Sequence, residues 1–122
     1  MANAIIYHNS RWSKSRQTLD VLKNSSVPFE IVEYLKAPLD TEKLDQICKG
    51  LNLEPVELIR TKDKLFKELR LSKNDDRSRN EWLKLISENP ALMERPIVEY
   101  KGRFAMGRPP ENILGILNWS VR

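Results

Sequence analysis

A short apolar run, a helical stretch and a second apolar run open the chain, and this order most constrains the fold. The first run, Ala4–Tyr7, is rich in isoleucine, and the second, Phe29–Tyr34, alternates apolar with acidic residues as β-strands do. Between them, residues 13–24 are predicted to form a helix with Leu19 and Leu22 facing inward. Two strands joined by a helix form a right-handed βαβ unit, so we expect the strands to be parallel.

The middle of the chain has a helical pattern. Apolar residues recur at helical spacing from Asp40 onward, with Gly50 near the end of the predicted helix: Leu44, Ile47, Cys48 and Leu51. Cys48 is therefore expected on a buried helical face. Further helical segments are predicted over 55–59, 62–69 and 79–88. In the last segment, three residues are expected to face inward: Trp82, Leu85 and Ile86. We interpret residues from about 40 to 92 as an all-helical insertion.

The last third of the chain predicts a hairpin and a helix. Residues 96–100 and 103–106 have strand patterns, and Lys101-Gly102 between them is suited to a tight turn. A last helix is predicted over 110–117, with proline accepted in its first turn. The order βαβ, helical block, ββα predicts an α/β fold with a mixed four-stranded sheet flanked by helices.

The composition fits one hydrophobic core. At 122 residues with 40% hydrophobic content, the chain has the size of one domain, and we predict a single domain over 1–122. No stretch approaches the roughly 18–20 consecutive apolar residues of a membrane span, and no signal-peptide pattern is present. We therefore expect a cytoplasmic protein that does not enter a membrane.

The counts of cysteine, histidine and charge exclude several kinds of site. One cysteine, Cys48, cannot form an internal disulfide or a CxxC motif, and it suits a reducing compartment. With one histidine, His8, and no carboxylate cluster, we predict no metal site. The net charge of +4 permits anionic partners, but both signs are mixed along the chain, so we predict no nucleic-acid binding.

Residues 7–16 lie between the first strand and the first helix, where unpaired backbone N–H groups and the helix dipole favour an anion or a thiolate. Arg60, Arg95 and Arg108 each lie at an element boundary, and proline follows the last two. Guanidinium groups stay charged and donate paired hydrogen bonds to a tetrahedral oxyanion, so the set suggests an oxyanion pocket. Taken singly, each of these residues is more often a surface arginine, and a lone histidine such as His8 is more often structural.

Five blocks of the sequence resemble the glutaredoxin-coupled arsenate reductases, which have a thioredoxin-like fold: residues 7–9, 13–16, 58–60, 94–98 and 107–111. The resemblance implies that a cysteine at the position of Trp12 would attack arsenate. It also implies that His8 and Ser15 support the thiolate, and that three arginines hold the oxyanion: Arg60, Arg95 and Arg108. Pro96 resembles the cis-proline beside the active site of thioredoxin-fold proteins, although a proline there also suits the start of an edge strand.

Trp12 decides the mechanism that the resemblance allows. A covalent arsenic or mixed-disulfide intermediate requires a thiolate, which an indole cannot supply. Cys48 is a poor replacement, because burial would raise its pKa and block access. We therefore predict an arsenate-reductase-family protein without thiol-based reductase activity that keeps a pocket for arsenate, phosphate or sulfate. It would hold no bound cofactor, and glutathione with glutaredoxin would be its reductant only if it were a reductase.

An alternative is a non-enzymatic module that binds a protein partner. The transcription regulators of the same superfamily act in this way on RNA polymerase, although they keep a cysteine pair that this chain lacks. Trp12 lies at a loop tip before a helix, where an exposed aromatic ring often anchors a partner. We expect this ring to point outward, and we expect Trp82 and Trp119 to serve packing.

Overall fold

The computed structural model of the chain describes residues 3–94, 96–107 and 109–117, so that Arg95, Arg108 and Trp119 lie outside the described residues. Four strands and five α-helices follow in this order: β1 Ala4–Tyr7, α1 Ser13–Lys23, β2 Phe29–Val32, α2 Thr41–Leu51, α3 Lys64–Glu68, α4 Arg79–Glu88, β3 Ile97–Tyr100, β4 Arg103–Met106 and α5 Leu114–Leu117. Three 3₁₀ turns complete the described part: Pro55–Leu58, Pro90–Leu92 and Pro110–Ile113.

The chain separates into two compact units. The first contains the chain through Ala37 and the part that follows Glu94, and it carries all four strands. The second runs from Pro38 to Glu94 and contains α2, α3 and α4. Apart from one isolated bridge between Ile59 and Met93, the described secondary structure of the second unit is helical.

The sheet of the first unit has the strand order β2-β1-β3-β4. β1 pairs in parallel with β2 and antiparallel with β3, and β3 forms the hairpin with β4. This arrangement confirms the predicted mixed sheet and its βαβ start. β1 lies inside the sheet, with Ala4, Ile6 and Tyr7 buried. Edge strand β2 leaves Ile31 exposed and ends at Val32, two residues earlier than predicted.

The core of this unit packs α1, the last helical segment and the sheet together. Its buried residues come from every layer: Ala4, Ile6, Leu22, Val98, Tyr100, Ile113 and Leu117. Leu22 is buried as predicted, and Leu19 is half-buried against the same cluster. The predicted turn at Lys101-Gly102 has positive φ at both residues (50° and 77°), as two-residue hairpin loops require.

The helices of the second unit follow the predicted pattern with local differences. In α2, Leu44, Ile47 and Cys48 are buried, and the left-handed residue that ends the helix is Asn52 (φ 58°) rather than Gly50. α4 has the predicted bounds because Ser78 and Glu81 form a capping box. Its buried face contains Leu83 in place of the predicted Leu85, which is only half-buried.

The short helical segments are shorter or tighter than predicted. The segment predicted over 55–59 is the 3₁₀ turn Pro55–Leu58, and the one predicted over 62–69 is α3, whose start is fixed by the Asp63 side chain accepting from the Leu65 N–H. The predicted last helix begins as the 3₁₀ turn before it becomes α5. None of the described helices is long and apolar enough to cross a membrane.

Candidate functional site

The loop between β1 and α1 is held by hydrogen bonds that it makes to itself. The Asn9 side-chain oxygen accepts from the Arg11 N–H (3.1 Å), and the Asn9 carbonyl accepts from the Trp12 N–H (3.1 Å). The Arg16 guanidinium donates to the Ser10 carbonyl (2.9 Å). These bonds close the five-residue loop 8–12 and place Trp12 immediately before α1.

His8, Asn9 and Ser15 form a buried polar network beneath the loop. The Ser15 hydroxyl lies 2.6 Å from His8 Nδ1 and accepts the Asn9 backbone N–H at 3.0 Å. Ser15 is fully buried, and His8 and Asn9 are 5% and 7% exposed. The network therefore links the end of β1 to the first turn of α1 through buried polar groups.

The N-terminus of α1 is open to an anion. Its first helical hydrogen bond runs from the Arg16 N–H to the Trp12 carbonyl, so the N–H groups of residues 13–15 precede the helical ladder. No side chain caps the helix at Trp12, and the first turn contains no acidic residue. The dipole and these N–H groups favour negative charge at this end.

Burial lowers the pKa of His8 from its usual value. Desolvation of the imidazolium is the largest cause, Arg16 and Lys23 act in the same direction, and Glu33 opposes them. The neutral imidazole is therefore the form that fits the network at neutral pH.

The segment that ends at Gly107 meets α1 at Thr18. The Gly107 N–H donates to the Pro96 carbonyl (2.9 Å), and the Thr18 hydroxyl reaches the carbonyls of Lys14 (2.9 Å) and Gly107 (3.3 Å). A Cβ at residue 107 would collide with the Thr18 side chain and lie 2.8 Å from Pro96 Cγ, so only glycine fits. Gly107, which precedes Arg108, therefore lies against α1, and it is bonded in turn to Pro96, which follows Arg95.

Comparison with known proteins identifies the family. The model of the ArsC family matches residues 7–116. The chain is 45% identical over 116 residues to a protein named arsenate reductase from Haemophilus influenzae, covering 94% of this chain and 99% of that one. It is 44% identical over 113 residues to the Escherichia coli protein named "Uncharacterized protein YfgD", covering 92% and 94%.

The chain belongs to the ArsC family. A solved structure named arsenate reductase from Vibrio cholerae superposes with a TM-score of 0.88 at 37% identity, covering 94% of this chain and 98% of that one. The likeness confirms the predicted thioredoxin-like α/β fold with its mixed sheet.

Of the site residues predicted from the ArsC resemblance, the structure brings His8 and Ser15 together. Arg95 and Arg108 lie outside the described residues, so the three-arginine pocket and the cis bond before Pro96 stay predictions. Arg60, in the second unit, donates to Asp63 (2.6 Å) and forms an ion pair with Glu94 (3.3 Å). These carboxylates hold the Arg60 side chain half-buried within its own unit.

Cys48 does not have the environment of a reactive thiol. It is fully buried in α2, and burial raises its pKa to about 11; Asp45 and Glu54 act in the same direction, and Arg79 opposes them. The prediction that Cys48 lies on a buried helical face is confirmed. Metal binding has no support in the described part of the chain either, which contains no group of three or more His, Cys, Asp or Glu residues that could hold an ion.

The sequence interpretation missed the roles of Asn9 and Thr18. Asn9 organises the loop through three hydrogen bonds, and Thr18 contacts the segment before Arg108. A signal was present: Ser15, Thr18 and Leu22 follow helical spacing on one face of α1, and all three are buried. Polar residues on a buried face indicate hydrogen bonding to other segments.

Proposed function

We propose that this ArsC-family protein binds a small tetrahedral oxyanion beside the N-terminus of α1 and does not reduce it by thiol chemistry. One observation carries the proposal: the position where α1 begins is occupied by Trp12, while the one cysteine of the sequence is buried in α2 with a raised pKa. The anion would be arsenate, phosphate or sulfate.

Three features support the binding half. The N–H groups at the start of α1 and the absence of acidic residues from its first turn favour an anion there. The family resemblance assigns Arg60, Arg95 and Arg108 to the oxyanion, and Pro96 and Gly107 lie next to two of them. Relatives from Haemophilus influenzae and Neisseria meningitidis are named arsenate reductase, so an oxyanion substrate is associated with the family.

The proposed lack of thiol-based reduction follows from the bonds and electrons that this reaction requires. Reduction through a thiol starts when a thiolate sulfur bonds to arsenic and an arsenate oxygen leaves as water, and two electrons then come from glutathione and glutaredoxin. The Trp12 indole has no sulfur to form that bond. Ser15 has a hydroxyl, but it is fully buried, hydrogen-bonded to His8 and not redox-active.

A reduction assay tests the chemical half. The protein is incubated with arsenate, glutathione and glutaredoxin, and we expect turnover at background for the natural chain. Trp12→Cys in a Cys48→Ala background should raise turnover above background if the rest of the site is intact. Turnover by the natural chain that survives Cys48→Ala would contradict the proposal, and turnover that requires Cys48 would mean that this thiol becomes accessible.

An anion titration tests the binding half. A variant with Trp82 and Trp119 replaced by phenylalanine keeps Trp12 as the fluorescence reporter, and sulfate, phosphate and arsenate are added at low ionic strength. We expect saturable binding that weakens by about 1.5 to 3 kcal/mol when Arg95 or Arg108 is replaced by alanine. Arg70→Ala serves as a control, because this exposed arginine lies in the second unit. No saturable binding at millimolar anion would contradict the proposal.

Protein binding is a second candidate, favoured by one observation. Trp12 is 41% exposed at the start of α1, and an exposed aromatic residue can anchor a partner. In this case the face would dock on a partner in the cytoplasm, as the related transcription regulators dock on RNA polymerase. Binding to purified RNA polymerase that is lost in Trp12→Ala, together with the absence of anion binding, would favour this candidate over the first.

A further inference from the structure

A cavity lies beside the β1–α1 loop, and Trp12 and Ser15 are not among the residues that line it. Its volume is about 320 Å³, and it is lined by loop residues 8–11 and by Glu33, Leu35 and Lys36 from the segment after β2. All of these residues belong to the first unit. The cavity shares His8 with the network under the loop, and its other walls are separate from the oxyanion site proposed above.

The network fixes which nitrogen of His8 carries the proton. The Ser15 oxygen accepts the Asn9 N–H, and within residues 3–94, 96–107 and 109–117 the one acceptor for the Ser15 hydroxyl proton is His8 Nδ1, at 2.6 Å. Nδ1 therefore accepts, and the neutral ring carries its proton on Nε2. The far side of the ring is thus a hydrogen-bond donor.

Two side-chain donors are left for a ligand. In the described part of the chain, His8 Nε2 and the Asn9 side-chain nitrogen have no hydrogen-bond partner, and neither atom is fully enclosed by protein. Both residues are more than nine-tenths buried and line the cavity. Because the Asn9 oxygen is held by the Arg11 N–H, its amino group is fixed in orientation. Both donors lie on residues that line the cavity, so an acceptor bound there could take their hydrogen bonds.

The charges around the cavity select the kind of acceptor. Arg11 and Lys36 bring two positive charges, and Glu33 brings one negative charge, 3.5 Å from the Lys36 ammonium. The surplus of one positive charge suits a monoanion, whereas a phosphate dianion would be repelled by Glu33. Leu35 supplies an apolar wall, and the volume exceeds that of a bare oxyanion.

We propose that this cavity binds a small organic monocarboxylate. Its carboxylate accepts hydrogen bonds from His8 Nε2–H and the Asn9 amino group, Arg11 neutralises its charge, and its apolar part lies against Leu35. The inference does not depend on the oxyanion proposal, because the walls that select the ligand are those of the loop and of the segment after β2.

The imidazole of His8 is the reporter for the test. It belongs to the one histidine of the sequence, so its ring-nitrogen NMR signals are assigned without ambiguity. Isovalerate, acetate and inorganic phosphate are titrated separately at pH 7. We expect a saturable shift of the Nε2 signal with isovalerate at millimolar concentration, a weaker response to acetate, and the weakest to phosphate. The absence of a saturable shift, or tighter binding of phosphate than of isovalerate, would overturn the proposal.

Matched variants locate the bound carboxylate. Asn9→Asp keeps the acceptor for the Arg11 N–H but removes the amino group and adds a negative charge, and Arg11→Gln removes the cation on an exposed side chain. We expect each to weaken isovalerate binding by roughly tenfold or more. Lys14→Gln removes the same charge from an exposed residue outside the cavity and should change affinity by less than about twofold.

Arg11→Gln decides the outcome if Asn9→Asp does not fold. Equal weakening by Lys14→Gln and Arg11→Gln would place the anion in the general field of α1 and overturn the cavity assignment. Saturable sulfate binding that persists while isovalerate gives no shift of the His8 signal would overturn this inference and leave the oxyanion proposal standing.

Discussion

Ser15 in α1 and Cys48 in α2 are both fully buried, but their surroundings differ. Ser15 is bonded to His8 and Asn9 at a helix start, where backbone N–H groups and nearby cations favour negative charge. Cys48 lies on the apolar stripe of a helix, between Leu44 and the left-handed cap at Asn52. One region is organised to support a charge, and the other is organised to exclude one.

The comparison shows that location, more than residue type, determines what a thiol can do. Trp12 stands at the uncapped start of α1, and the thiol of the chain lies where burial disfavours ionisation. Membership of the ArsC family therefore establishes the scaffold and its helix start, while the chemistry depends on which side chain stands there.

The largest expected effect is on thiol reactivity. A thiol with a pKa of about 11 is ionised in roughly one molecule in a thousand at pH 8, and burial of Cys48 slows its reaction further. A thiol introduced by Trp12→Cys in a Cys48→Ala background should have a lowered pKa, because the helix start favours the thiolate. We expect iodoacetamide to alkylate it at least roughly a thousandfold faster than Cys48 in the natural chain.

Alkylation rates measured against pH check this contrast. Both thiols should react at similar rates in guanidinium chloride, where the fold no longer distinguishes them. A midpoint at or above about 8.5 for the introduced thiol would show that the α1 site does not support a thiolate.

A second prediction concerns two substitutions that exchange polarity: one removes the hydroxyl from the α1 region, and the other adds a hydroxyl to the α2 region. Ser15→Ala leaves His8 Nδ1 and the Asn9 N–H without their shared partner, and Cys48→Ser places a hydroxyl on an apolar helical face. Each should lower the free energy of unfolding by about 1 to 3 kcal/mol. Urea unfolding measures both values.

Two control variants complete this test. Ser13→Ala changes an exposed serine in the same turn of α1 and should cost less than about 0.5 kcal/mol. Cys48→Ala separates the effect of an empty volume from that of the hydroxyl. If Ser15→Ala costs no more than Ser13→Ala, the network does not stabilise the helix start.

The smallest expected effect is a pH dependence that arises from His8, in the loop before α1, and not from α2. Because burial lowers the pKa of His8 in the folded protein, the unfolded chain binds the proton more readily, and acidification favours unfolding. Stability should therefore fall as the pH drops below about 6.5, the usual histidine pKa. Urea midpoints from pH 7.5 to 5.5 measure the slope. His8→Gln should remove this slope, and equal slopes in both proteins would contradict the role given to His8.

The elements that bury a regular apolar pattern were predictable from the sequence. Alternation and helical spacing located β1 and α4 and placed Cys48 on a buried face, because burial of apolar area fixes which face of an element turns inward. The shorter elements were predicted less well. The start of α3 depends on the Asp63 cap, and the early end of β2 reflects its place at the sheet edge.

The candidate site was predictable in part. The family resemblance indicated His8 and Ser15, and the structure places them in contact. The hydrogen bonds of Asn9 and the contact between Thr18 and Gly107 required the structure, because Gly107 lies 89 residues from Thr18 along the chain. The pairing of Arg60 with Glu94 was equally hidden, since no local pattern relates two residues so far apart.

The way the β1–α1 loop is closed bears on how such a protein could arise and change. The loop is fixed by the backbone of Trp12 and by the side chains of Asn9, Ser15 and Arg16, and no side chain at residue 12 caps the helix. Tryptophan and cysteine codons differ by a single base, so residue 12 can exchange between them in one mutational step. A lineage built on this scaffold can therefore lose or regain a thiol at the head of α1 without rebuilding the loop that presents it.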